Sequence, residues 1–189
     1  KYSANPGLMT EWPEAYASMG ITAETVAKRY GISRDRMDIF AVASHQKAAA
    51  AQKQGTFDSE IIPVTVEQCR YQEGKQQVLF EQVGTDDGVR PDTSLESLAK
   101  LAPVFCKNGS VTAGNSSQTS DGAAITMVVS EDFLRESHLV PIARFVSFSV
   151  KGVPPEVMGI GPVEAIPAAL AMAGLKLDEI GLIELNEAF

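Results

Sequence analysis

The sequence predicts an α/β fold, and three observations predict it. The second half alternates apolar and helix-forming runs in the order strand, helix, strand, helix, strand. The first half carries helical periodicity with only weak strand signals. Residues 180–185 are a short apolar run that reads as a buried strand, and the chain then turns polar at Asn186-Glu187-Ala188-Phe189. A length of 189 residues suits one domain or two small ones, and the change of pattern puts a boundary near residue 108.

The elements follow in order. Residues 1–18 read as a loop, with Pro6-Gly7 and Pro13 as breakers. Thr22 is the expected cap of a helix over 23–30, stopped by Gly31. Ser33 caps a longer helix with Asp35 in its first turn, running to Gly55. Residues 60–66 read as a strand with Pro63 marking an edge. Residues 67–92 are polar, with 78–80 as the only strand signal. Thr93-Ser94-Leu95-Glu96 reads as a capping box for a short helix with Leu95, Leu98 and Leu101 on its apolar face. Strands are expected over 123–129, 142–150 and 180–185, and helices over 131–137 and from Pro162 to a stop at Gly174.

Composition narrows the function classes. The chain is 44% hydrophobic and 21% charged, enough apolar content for a packed core. A net charge of −8 argues against nucleic acid as a partner. Two cysteines form no disulfide framework, so a reducing compartment is the default. No apolar run approaches the roughly 20 residues of a membrane span. There is no initiator Met and no signal-peptide pattern, and a chain from Lys-Tyr-Ser to Ala-Phe reads as cut at both ends.

The candidate chemistry is sparse. Asn186 at the tip of a strand can hold a water or a substrate oxygen without adding charge, or it can cap the next helix. Within the small-residue loop 109–122, the stretch Gly114–Gly122 lets a ligand approach the backbone, with Ser116, Ser117 and Thr119 as hydrogen-bonding groups; the alternative is a tight turn that caps the next element. Met19, Phe105, Met158 and Phe189 flank loops and glycines and read as core or as pocket. His45 reads as a solvated helical histidine. Neither Cys69 nor Cys106 sits where a thiolate would be stabilised, and neither His has a metal ligand at suitable spacing. No Gly-x-Ser-x-Gly elbow and no phosphate loop is present.

Taken together, several stretches resemble the thiolase family, the acetyl-CoA C-acyltransferases. Asn186-Glu187-Ala188-Phe189 matches that family's Asn-Glu-Ala-Phe motif. Val111-Thr112-Ala113-Gly114-Asn115-Ser116-Ser117 with Ser120-Asp121-Gly122-Ala123-Ala124 matches its Val-Thr-Ala-Gly-Asn-x-Ser and Asp-Gly-Ala-Ala segment. Met19-Gly20-x-Thr22-Ala23-Glu24, Ser33-Arg34 with Asp38-x-Phe40-Ala41, and Met158-Gly159-x-Gly161-Pro162 match as well. Their order and spacing agree across essentially the whole chain. The wording is most similar to the degradative 3-ketoacyl-CoA thiolases. The chain departs from the family pattern at Met37 (usually Gln), Ala102 (usually Arg) and Ser18 (His in biosynthetic members).

The resemblance implies a partial thiolase-like fold. It implies a helical lid over CoA at 1–108, the end of the N-terminal domain at 109–140 and the start of the C-terminal domain at 141–189. The implied reaction is thiolytic cleavage of 3-ketoacyl-CoA by CoA, giving acetyl-CoA and a shortened acyl-CoA, as in β-oxidation. The alternatives are a biosynthetic acetoacetyl-CoA thiolase and a non-catalytic CoA- or lipid-binding relative. By the same resemblance, Asn186 holds an oxyanion-side water and Ser117 contacts the pantetheine arm. Arg90 and Ser97 contact the nucleotide end of CoA. Met19, Phe105, Ala113, Met158 and Phe189 line the acyl and pantetheine tunnel. The family's nucleophilic Cys-x-Ser, its Gly-His-Pro and its second catalytic Cys have no match in the chain. The implied partners are coenzyme A and acyl-CoA thioesters, used as substrates with no metal or prosthetic group, and further subunits in a homodimer or homotetramer. The implied location is the cytoplasm of a bacterium, or the matrix of a peroxisome or mitochondrion in a eukaryote.

Overall fold

The computed structural model describes residues 3–72 and 74–189, so that Lys1, Tyr2 and Glu73 lie outside the described residues, along with the parts of the 1–18 and 67–92 readings that fall on them. In chain order it has α1 (Pro6–Glu11), a 3₁₀ turn (Pro13–Tyr16), α2 (Met19–Tyr30), α3 (Arg34–Lys53), β1 (Val64–Gln72), β2 (Lys75–Val83) and α4 (Leu95–Ala99). Then follow α5 (Glu131–Ser137), a 3₁₀ segment (Pro155–Ile160), α6 (Gly161–Ala173) and a 3₁₀ turn (Leu177–Glu179). The chain divides into two compact units: residues 1–33 with 103–189, and residues 34–102.

In the first unit, the expected opening loop contains two short helices. Pro6 and Pro13 start them, because proline's fixed φ and missing N–H suit a first helical turn. Asn5 caps α1 by accepting from the Gly7 and Leu8 amides at 2.9 and 3.1 Å. Helix α2 begins earlier than expected, with Ser18 at the cap position. Thr22, read as the cap, is buried inside the helix, and its hydroxyl donates to the Met19 carbonyl at 2.7 Å. Gly31 ends α2 in the left-handed region at φ 63°, as expected. Ser130 caps α5, and α6 ends at Gly174 at φ 69°.

The three strands expected over 123–129, 142–150 and 180–185 are not strands in the structure. A strand exists only through a hydrogen-bonded neighbour, and none pairs with these segments among the described residues. Their apolar side chains lie open: Ile125 and Ile142 are 99% and 104% exposed. Residues 180–185, expected to be buried, are likewise mostly exposed. The stretch Pro155–Ala173 has the length and mean hydropathy, 1.3, of a membrane-spanning helix by composition alone, where the sequence pattern shows no such run. It is not one helix: the backbone breaks at Val157, with φ −128° and ψ 31°. That leaves the 13 residues of α6, about 20 Å long against a hydrocarbon core of roughly 30 Å.

In the second unit, α3 is the longest element, at 20 residues. The strand expected over 60–66 is displaced. The structure has an antiparallel hairpin in which Val64 faces Val83 and the last pair is Gln72 with Lys75. Pro63 has no N–H to give a ladder, so pairing starts after it. Residues 67–72 carry no strand signal in the sequence because β2 is exposed throughout and β1 at most of its described positions, and an unburied ribbon needs no apolar alternation. The capping box of α4 sits one residue later than expected. Ser94 is the cap: its hydroxyl accepts from Ser97 N at 3.2 Å, and Ser94 N donates to the Ser97 hydroxyl at 3.1 Å.

Arg34 ties this unit together. Its Nε lies 2.7 Å from the carboxylate of Asp38, a residue only 4% exposed. Its Nη1 donates to the Leu101 carbonyl at 3.2 Å and its Nη2 to the Leu98 carbonyl. Truncating Arg34 removes a charge-assisted partner from a buried carboxylate and the donors of two carbonyls. Arg34→Ala should therefore cost this unit about 2–3 kcal/mol in urea unfolding, given roughly 1.5–3 kcal/mol for one hydrogen bond to a charged group. An unchanged midpoint would show that Asp38 and α4 are held by other means.

Candidate functional site

The site grows from one carboxylate in the first unit. Glu24, in the second turn of α2, accepts from Ser110 N at 2.9 Å, from the Ser110 hydroxyl at 3.0 Å and from Val111 N at 2.9 Å. This grip fixes the start of the 109–122 loop. Val111 and Thr112 behind it are fully buried. Asn115, also buried, completes a tight turn: Oδ1 accepts from Thr112 N at 2.7 Å and Nδ2 donates to the Ser110 carbonyl at 3.0 Å. The Ser116 hydroxyl donates to the Thr112 carbonyl at 2.8 Å and so serves the turn itself. Residues 110–116 thus form a tight turn that takes in only the start of the Gly114–Gly122 stretch, whereas Ser117 and Thr119 remain exposed.

The turn then meets the chain's last residues. Ser117 N donates to the Ala188 carbonyl at 3.0 Å, which joins the small-residue loop to Asn186-Glu187-Ala188-Phe189. Phe189 packs edge-on against Phe105, with ring centroids 6.2 Å apart and planes at 79°. Val104 N donates to the Val111 carbonyl at 3.0 Å, so the Phe105 segment is fastened to the same turn. Phe105 lies over Gly20, next to Met19, where any Cβ would meet its ring. Met158 lies in the 3₁₀ segment beside α2, where Arg29 reaches Glu156 at 3.4 Å.

One unit therefore gathers Met19, Phe105, Ser117, Ala188 and Phe189 into a connected surface, and carries Ala113, Met158 and Asn186 as well. Met19, Phe105, Met158 and Phe189 are 38–49% exposed, so none of the four is core in this chain. Asn186 and Ala113 are exposed. Arg90 and Ser97 belong to the second unit and are exposed there. His45 is not merely solvated: its Nδ1 accepts from Arg90 N at 3.1 Å. Cys69 and Cys106 are free and exposed. Among the described residues no cluster of His, Cys, Asp or Glu could hold a metal ion.

Sequence reasoning missed Glu24 and His45. Glu24 stands inside one of the matching motifs, yet its partners lie 86 and 87 residues away. His45 had no local signal at all, because its partner is a backbone amide 45 residues on.

The family models for the thiolase N-terminal domain and the thiolase C-terminal domain match residues 6–132 and 139–189, so the chain belongs to the thiolase family. Among its relatives, it is 54% identical to the 3-ketoacyl-CoA thiolase of Bacillus subtilis, over 98% of this chain and 48% of that protein. It is 50% identical to the human peroxisomal 3-ketoacyl-CoA thiolase, over 90% of this chain and 40% of the relative. The crystal structure of human mitochondrial 3-ketoacyl-CoA thiolase in complex with CoA superposes with a TM-score of 0.83 at 41% identity, over 94% of this chain and 42% of that one. Bacillus anthracis acetyl-CoA acetyltransferase superposes with a TM-score of 0.79 at 42% identity, over 90% and 41%. The chain thus spans about half the length of the curated relatives it matches, or less. It follows the course of a thiolase, and the unpaired apolar segments fit a partial thiolase fold.

The contact between Gly20 and Phe105 yields a direct test. Gly20→Ala should displace the Phe105 ring, break its edge contact with Phe189 and cost roughly 1–3 kcal/mol, the usual range for overpacking. Adding Phe105→Ala should relieve that clash, so the double variant should lose less than the sum of the two single changes. Strict additivity in thermal unfolding would mean that the two residues do not press on each other.

Proposed function

We propose that this chain supplies the CoA-covering lid and the oxyanion-side asparagine of a degradative 3-ketoacyl-CoA thiolase. The observation that carries the reading is the junction of Ser117 N with the Ala188 carbonyl, which sets a pantetheine-side candidate beside the strip that carries Asn186. Support for the substrate class comes from the 54% identity with a 3-ketoacyl-CoA thiolase over 98% of the chain. Residues 1–108 act as the lid, 109–140 close the N-terminal domain and 141–189 begin the C-terminal one. A biosynthetic role is the second reading, favoured by the resemblance to an acetyl-CoA acetyltransferase at 42% identity. We assign coenzyme A and acyl-CoA thioesters as substrates, no resident cofactor, and a homodimer or homotetramer. The compartment is the bacterial cytoplasm, or an organelle matrix such as the peroxisome of the human relative.

The reaction in this reading runs in two steps. A cysteine thiolate, supplied by a motif outside this sequence, attacks the 3-keto carbon of the 3-ketoacyl-CoA. The bond between C2 and C3 then breaks, and acetyl-CoA leaves after a proton is delivered to its carbanion. The thiol of a second CoA takes the acyl group from the enzyme and returns the thiolate. Negative charge gathers on a carbonyl oxygen in each step, and preorganised donors lower that barrier. Asn186 is a neutral amide suited to hold the donor water there. Ser117, Met19, Phe105, Ala113, Met158 and Phe189 guide the pantetheine and acyl chain, and Arg90 and Ser97 meet the nucleotide end.

Two outcomes follow. The 189 residues alone should not turn over acetoacetyl-CoA with CoA, because neither Cys69 nor Cys106 stands in a Cys-x-Ser setting and neither His45 nor His138 in a Gly-His-Pro setting. Loss of the 3-ketoacyl absorbance at enzyme-like rates would refute this. In a full-length enzyme carrying this segment, Asn186→Ala should lower kcat by about 10²–10³ with KM within a few-fold, the usual effect of removing one oxyanion donor. Asn186→Asp should be at least as damaging, because a carboxylate repels the developing charge. A fully active Asn186→Asp enzyme would leave Asn186 as a structural residue only.

A further inference from the structure

The segment carrying Arg90 has no regular structure of its own: residues 84–92 contain Gly84, Gly88 and Pro91 and no helix or strand. Its hold comes from α3. Gln52 Nε2 donates to the Asp86 carbonyl at 2.9 Å, and Arg90 N donates to His45 Nδ1 at 3.1 Å. Gln52 and His45 are seven residues apart, two turns along one face of the helix, a rise of about 10 Å. Four residues from Asp86 to Arg90 reach at most about 14 Å when fully extended. The later helix residue holds the earlier segment residue and the earlier holds the later, so the segment runs antiparallel to α3 between two anchors. Farther along, Arg34 takes the carbonyls of Leu98 and Leu101, just beyond Ser97. One helix thus holds residues 86–101 at three points, and the two nucleotide-end candidates lie between the outer ones.

We infer that His45 is a positioning residue for CoA: by accepting the Arg90 amide, it fixes the backbone from which the Arg90 guanidinium reaches the nucleotide phosphates. This rests on the proposed contact of Arg90 with the nucleotide end and adds to it the group that places Arg90. The ring must present a lone pair at Nδ1, so the neutral tautomer with its proton on Nε2 is the one that serves. Gln52 sets the other end of the same segment. A mobile arginine can still meet a phosphate, but it loses conformational freedom on binding that a fixed one has already given up. The effect of His45 should therefore fall on CoA affinity and not on the bond-breaking steps.

The test uses a full-length thiolase carrying this segment, with CoA as the varied substrate. His45→Ala should raise the KM for CoA about three- to ten-fold, the scale of one lost hydrogen bond, and leave kcat unchanged. His45→Asn places a carbonyl oxygen where Nδ1 stood and should restore most of the affinity. Hydrogen exchange at the Arg90 amide should accelerate in His45→Ala and return toward the parent rate in His45→Asn. His45→Ala added to Arg90→Ala should raise the KM no further. If Arg90→Ala raises the KM for CoA while His45→Ala does not, the positioning role is overturned and the Arg90 reading stands. If Arg90→Ala leaves the KM unchanged, the Arg90 reading fails and takes this inference with it. Should His45→Ala not fold, Gln52→Ala must loosen the same segment and raise the same KM, and an unchanged KM there overturns the inference.

Discussion

A single half-buried carboxylate governs the first unit. Glu24 receives two backbone amides and a hydroxyl from Ser110 and Val111, all at 2.9–3.0 Å. Each is a charge-assisted bond, of a kind that contributes more than a neutral one. The turn they fix contains two of the three fully buried side chains among the described residues, Val111 and Thr112. Without an acceptor there, the Ser110 and Val111 amides would lie unpaired beside buried apolar groups, which is unfavourable enough to reshape the turn. Glu24 sits on α2, whose first turn also presents Met19 and Gly20, so the same helix that anchors the loop also carries a wall of the candidate site.

Order then passes from residue to residue. Val111 holds Val104, Val104 brings Phe105, and Phe105 meets Gly20 on one side and Phe189 on the other. Ser117, five residues past the turn's buried Thr112, fastens Ala188. The second unit uses a similar device with a different donor set. A helix, α3, offers Arg34, His45 and Gln52 to the backbone of a segment that would otherwise have no fixed course. Most of the residues proposed to touch substrate in the first unit lie on irregular chain, as Arg90 does in the second, and helix side chains bonded to backbone groups hold those stretches.

Helices were legible in the sequence where their ends carry local chemistry. Gly31 and Gly174 stop α2 and α6 in the left-handed region, and Ser130 caps α5, as their residue types dictate. Capping was misplaced where two candidates compete: Ser18 precedes Thr22, and Ser94 follows Thr93. The apolar runs 123–129, 142–150 and 180–185 have strand composition, but composition cannot supply the neighbour that makes a strand. The hairpin was obscured for the opposite reason, since its exposed strands have no face to bury and so carry no apolar alternation to mark them. Motif words named the candidate residues, including Ser117 and Asn186. They could not reveal that Ser117 binds the Ala188 carbonyl, that Glu24 closes the loop or that His45 holds Arg90. Those bonds join residues far apart in sequence, and nothing local encodes them.

Amide hydrogen exchange in a full-length thiolase carrying Glu24→Ala tests the governing role of this carboxylate most directly. Losing it should speed exchange at Ser110 and Val111, where its bonds end, and also at Ser117, whose amide it reaches only through the turn. The amides of α3 should keep their parent rates. If Ser110 and Val111 exchange faster while Ser117 stays protected, the loop and the Asn186 strip are ordered independently of Glu24, and the carboxylate does not govern the unit.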